Sequence, residues 1–161
     1  SPTTYSAASL DSTARVVTAL VWALSVGLLV GGVVALQQDA TAAGVILLGA
    51  GGLVLAVHAW LRRLEPRAYV VEPGTLRVER RSDTRSFVGP FRNARRGALG
   101  LRVAGDGGGY GYLGQFRAEG RTVSAFVTNR AKVVLLEVGD RALALSPDDP
   151  DAFVEEVRRG G

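Results

Sequence analysis

The sequence has no cysteine and one histidine, His58. The first absence excludes a disulfide framework, thiol chemistry and cysteine-ligated zinc; the second leaves no set of imidazoles for a metal centre or an acid–base pair. Charge is also sparse in the first third. Residues 16–36 carry no ionisable side chain, 40–61 carry none except His58, and Arg15 is the only basic residue before Arg62. Neither run has the polar stripe that a surface helix of a soluble domain needs.

What fills that third is two apolar blocks separated by Gln37-Gln38-Asp39. About 20 residues at 1.5 Å rise cover roughly the 30 Å of a bilayer's hydrocarbon core. A transmembrane hairpin is therefore expected over residues 14–63, with helices at about 15–36 and 40–62. A flexible segment, 1–13, precedes it, with Ser9, Asp11 or Ser12 available as helix cap. A linker, 64–67, follows it, where Pro66 ends the helix. Ala40-Thr41-Ala42 resembles a signal-peptidase site, but the preceding run is longer than a signal core and a second spanning run follows at once. Arg15, Arg62, Arg63 and Arg67 flank the hairpin while its loop offers only Asp39, so both termini are expected on the cytoplasmic side. Trp60 fits the aromatic belt and Trp22 lies deeper. His58, one turn before Arg62, reads as an interfacial residue rather than a proton sensor. Gly27, Gly31, Gly49 and Gly52 are candidates for close helix packing, either within the hairpin or against another copy.

From Arg62 onward the chain carries eighteen basic and thirteen acidic residues, a mixture that suits an anionic membrane surface and not nucleic acid. Within 68–161 the period becomes strand-like. Residues 68–72 and 75–81 flank a Pro73-Gly74 turn, Ser82-Asp83 marks another, and Gly89-Pro90 bends the run 87–91. Residues 93–97 give no clear pattern; 99–103 resume the alternation. Strands 121–128, 133–138 and 141–145 then follow, joined by tight turns. Ser146-Pro147-Asp148-Asp149-Pro150 opens a closing helix whose apolar stripe is Phe153, Val154 and Val157.

Six or seven short strands and one C-terminal helix outline a pleckstrin-homology (PH)-like barrel. Arg102, Gly105, Gly111, Gly114, Phe116, Ser146, Pro147, Pro150 and Phe153 stand where such motifs fall in the bacterial PH-domain family, in which membrane-spanning helices precede a PH-like barrel. The sequence resembles that family over residues 69–159. The resemblance implies a fold class: a two-helix transmembrane hairpin, then a mainly-β PH-like barrel with a C-terminal α-helix. Its motifs are structural, and it implies no catalytic residue and no cofactor.

Gly109-Tyr110-Gly111-Tyr112-Leu113-Gly114 matches G-x-G-x-x-G, but no helix fits between Gln115 and Gly120 to hold a pyrophosphate. The run reads as a β-bulge or flexible connection, or as a mobile loop offering Tyr110 and Tyr112 to a membrane or a partner. Arg92, Arg95 and Arg96 form the densest basic cluster, with Arg81 and Arg85 before them; they are candidates for a lipid or partner surface, or simply a solvated face. Asp148, Asp149 and Asp151 are capping residues rather than a metal site. These features point to a non-enzymatic integral membrane protein that presents a cytoplasmic PH-like domain to a protein partner. Two alternatives stay open, a sensor of anionic or phosphorylated lipid headgroups and an accessory subunit of a membrane complex; a homo-oligomer fits each.

Overall fold

The structure, a computed structural model, describes residues 2–107 and 109–160. Asp11 starts the first helix: its carboxylate accepts from the Ala14 amide at 2.8 Å, and α1 runs over Ser12–Gln37. After Asp39, at φ 60°, α2 runs over Thr41–Leu64. Both helices are long and apolar enough to cross a membrane. Leu20, Val30, Ile46 and Leu53 are each more than half exposed on their outer surface. An exposed apolar surface of this extent is what lipid contact requires.

Glycines set the approach of the two helices within the hairpin. A methyl group on Gly32 would lie 2.7 Å from Leu48 Cγ, and one on Gly44 2.6 Å from Leu36. Gly51 is buried in the same seam. Gly27, Gly49 and Gly52 have nothing within 4 Å of that position, and Gly31 only Leu47 at 3.8 Å. The small-residue faces thus divide into an inner set that seats opposing leucines and an outer set that leaves the hairpin's outside smooth.

Residues 1–13 were expected to be a loose lead-in, yet Thr3–Ser6 is a strand, β1, paired antiparallel with β2 (Pro66–Glu72) in the register Thr3↔Val71 to Ser6↔Ala68. Its β-branched and aromatic residues, Thr3, Thr4 and Tyr5, suit that place. Between α2 and β2 only Glu65 remains of the expected linker. The chain continues as β3 (Thr75–Arg80), β4 (Thr84–Val88), β5 (Phe91–Arg96), β6 (Arg102–Gly107), β7 (Tyr112–Ala118), β8 (Arg121–Val127), β9 (Val134–Val138), β10 (Arg141–Leu145) and α3 (Pro150–Arg159).

The expected PH-like arrangement is present, as two open sheets rather than a closed barrel. One has the order β1-β2-β3-β4 and the other β5-β9-β10-β8-β7-β6, with β8 and β10 parallel. The break falls at Gly89-Pro90, where the chain leaves one sheet for the other. Gly89 has φ 146° and its Cα faces the Gly139 backbone so closely that a methyl group would sit 2.7 Å from it. Pro90 has no amide to continue a ladder. The core lies between the sheets: Tyr69, Leu76 and Val78 face Leu136, Val138, Leu143 and Leu145, and α3 covers them with Phe153, Val154 and Val157. The Asp149 carboxylate caps α3 by accepting from the Ala152 amide at 3.0 Å.

Tyr69, fully buried, holds this core to the chain around it. Its hydroxyl donates to the Phe126 carbonyl at 2.5 Å and accepts from the Ser146 amide at 3.2 Å. Burial pushes the phenol up to about 12. A phenol raised in the folded state favours the neutral form, so its contribution to stability is intact below pH 10 and is lost as pH rises towards 12. Tyr69→Phe leaves both backbone partners unsatisfied and is expected to cost about 1–3 kcal/mol at neutral pH. Thermal unfolding of parent and variant between pH 8 and pH 12 checks this: the gap should narrow as alkali rises. For the hairpin, Gly32→Ala should lower resistance to unfolding in mixed detergent by about 1–3 kcal/mol through overpacking, while Gly27→Ala should not.

Candidate functional site

The two halves of the chain meet along a continuous junction. Beyond capping α1, the Asp11 carboxylate accepts from the Tyr112 hydroxyl and the Arg130 amide, each at 3.2 Å. Just before it, the Ala8 amide donates to the Ser146 carbonyl at 2.8 Å, and Thr128 Oγ1 donates to the Ala8 carbonyl at 2.5 Å. At the end of α2, Ser82 donates to the Arg63 carbonyl through both its amide and its hydroxyl, and Arg81 pairs with Glu65 at 2.8 Å.

A third attachment comes from the β6–β7 hairpin. Thr18 Oγ1 donates to the Gly109 carbonyl at 3.0 Å, and the Tyr110 hydroxyl lies 2.5 Å from His58 Nε2. Trp22 meets the His58 ring edge-on at 5.1 Å. Thr18 is six residues inside α1 and His58 six residues from the end of α2, so this tip reaches about 9 Å down the helix pair. Gly105 and Gly114, paired across the hairpin, both have positive φ and permit the close backbone approach there. The G-x-G-x-x-G run therefore belongs to a β-hairpin. Of Gly107-Gly108-Gly109, Gly108 lies outside the described residues.

Tyr110 and Tyr112 are both buried. Tyr112 also carries the Arg130 guanidinium over its ring at 5.2 Å. Burial, then the hydrogen bond to Asp11, raises the Tyr112 phenol above its ordinary value. His58, read as merely tolerated near an interface, is a buried bridge between α2 and the domain. Alternation alone gives no sign of this, because the contact joins residues 52 apart in sequence.

The structure separates the arginines that the sequence groups together. Arg81 and Arg85 lie at the β3–β4 turn beside the end of α2, while Arg92, Arg95 and Arg96 lie on β5 at the edge of the other sheet. Most are engaged: Arg81 with Glu65, Arg85 with Asp83 at 3.7 Å, Arg95 with Glu119, and Arg96 with Asp151 at 3.3 Å. The hydrogen bond from Arg95 holds the Glu119 carboxyl below its usual range, as Arg121 and then Asn93 do for Glu137. Exposed pairs of this kind contribute little to stability. Arg92 has no carboxylate partner among the described residues.

Arg92 instead lines a shallow groove of about 180 Å³ between β5 and α3, with Phe91, Asn93, Ala94, Val157 and Arg158. Arg158 reaches across it to donate to the Ala94 carbonyl at 3.0 Å. Asn93 sits at φ 53° where the β5–β9 register shifts between Arg92 and Arg95. The outer edge of β5 has no strand beside it among the described residues. Asp148, Asp149 and Asp151 serve Lys132, the α3 cap and Arg96 respectively. Among the described residues no group of acids and histidines is placed to hold a metal.

The model of the family described as bacterial PH domain matches residues 68–160, the two sheets from β2 onward together with α3. No curated protein matches, and no solved structure matches. The match covers more than half of the chain and runs through every strand that follows the apolar helices, and the chain belongs to the bacterial PH domain family.

Proposed function

We propose that the protein is a non-enzymatic, multi-pass membrane protein, with both termini cytoplasmic, whose PH domain is a docking module for an extended, acidic segment of a partner protein. One observation carries the reading. β5 has no strand on its outer edge among the described residues and runs beside α3, with a groove between them lined by Arg92 and Arg158. Strand addition to such an edge supplies affinity through main-chain hydrogen bonds, and flanking pockets supply specificity. Guanidinium groups on either side favour carboxylates in the segment that binds. The same charges keep the edge from pairing with another copy.

The junction supports this role in a second way. Three sets of hydrogen bonds fix the domain on its helices, so the groove keeps one orientation to the membrane plane and a docked partner would be oriented with it. The placement of Arg15, Arg62, Arg63 and Arg67 at one end of the helix pair favours a cytoplasmic domain by the positive-inside rule. Lipid reading by the β5 arginines is the weaker use of them, since Arg95 and Arg96 already have carboxylate partners.

Selection of displayed peptides on the full chain in nanodiscs tests the proposal. Enriched peptides should carry Asp or Glu, shift the backbone resonances of β5 and α3, and bind roughly tenfold more weakly to Arg92→Glu. Enrichment of no peptide, or resonance shifts confined to other strands, would remove the docking reading.

A further inference from the structure

A separate groove, of about 440 Å³, opens where the helix pair meets the domain. Trp22, Leu55 and Ala59 make its apolar wall, His58 and Tyr110 its floor, and Arg62, Arg63 and Arg81 its rim. Leu55, Ala59 and Arg62 fall on one side of α2, at i, i+4 and i+7. Leu55 and Arg62 are about 10 Å apart along the axis. The groove is thus graded, hydrocarbon-like at one end and cationic at the other.

Its charge is uncompensated on one side. Arg81 is engaged by Glu65, but neither Arg62 nor Arg63 has a carboxylate within 4 Å among the described residues. The Tyr110 hydroxyl and His58 Nε2 satisfy each other and so add no competing polar demand on the floor. Trp22 remains 44% exposed, with its indole available to a ligand lying along the wall.

We propose that this groove holds one anionic phospholipid of the surrounding bilayer, its phosphate between the guanidinium groups of Arg62 and Arg63 and one acyl chain along Trp22, Leu55 and Ala59. The ligand chemistry follows from the gradient: planar guanidinium groups take phosphate oxygens through paired hydrogen bonds, and the wall below them takes methylenes. A soluble phosphate would use only the rim. The site is distinct from the β5–α3 groove and independent of protein docking there. It rests only on the helix pair lying in a bilayer, and the experiment reads that separately.

Trp22 is the reporter. The full chain carrying Trp60→Phe is placed in phosphatidylcholine bilayers, and brominated phosphatidylglycerol or brominated phosphatidylcholine is titrated in. Quenching by the brominated phosphatidylcholine at high mole fraction reports that the helices are embedded. Quenching of Trp22 by brominated phosphatidylglycerol should be half-complete at a roughly tenfold lower mole fraction than with the neutral lipid. Adding Arg62→Gln and Arg63→Gln should merge the two curves, Arg92→Gln should not, and Leu55→Trp, studied by lipid retention in native mass spectrometry, should displace the bound lipid. Coincident curves for the two lipids in the parent would overturn the proposal. So would loss of the preference when free glycerol phosphate is added, which would make the occupant a soluble phosphate.

Discussion

The Asp11 carboxylate sits where two otherwise unlike pieces of chain must agree. It closes the first turn of α1, whose free amides would otherwise lie bare at the point of exit from the apolar region, and its remaining lone pairs take the Tyr112 hydroxyl and the Arg130 amide of the PH domain. One side chain therefore sets both the start of the helix and its bearing on the second sheet. Around it, Ala8, Thr128 and Ser146 form a buried set of hydrogen bonds that leaves the segment before α1 little freedom. Buried polar groups of this kind are costly when any one member is unsatisfied, so the set acts as a unit.

A domain on a flexible tether samples many orientations, and its surfaces have no fixed relation to the membrane. Here a single residue, Glu65, separates α2 from β2, and it is itself held by Arg81. The β6–β7 hairpin adds a third point of attachment through Gly109 and Tyr110. These contacts convert two apolar helices and a small β-domain into one body with two unlike grooves. The groove at the junction is made of both parts and exists only because they are docked. The groove beside β5 belongs to the PH domain alone.

Much of this was legible in the sequence where a feature depends on local composition. The two charge-free runs give the helices, the Pro73-Gly74 and Ser82-Asp83 turns separate β2, β3 and β4, and Asp149 with Pro150 marks the start of α3. Features that depend on distant partners were not legible. Thr3-Thr4-Tyr5 is β-prone, but only its pairing with β2 makes it a strand. β5 lacks alternation because a bulge at Asn93 changes the register, which hides a strand in a stretch that gives no clear pattern. Two near-identical glycine faces run along the helices, and spacing cannot tell which one meets Leu36 and Leu48. Tyr110 and Tyr112 resembled free aromatic side chains because their partners, His58 and Asp11, lie far away in sequence.

The pairing of β1 with β2 has a consequence for the order of assembly. The two strands are neighbours in one sheet, yet the whole helix pair lies between them in sequence, from Ser12 to Leu64. For a chain made in the N-to-C direction, Thr3–Ser6 waits for β2 to emerge, and Ala8 waits longer still, for Ser146. Closing so long a loop is slow compared with forming a local hairpin. The sheet is complete only when both outer ends of the helix pair have come to the same place, so the β1–β2 pairing closes a loop that contains both helices.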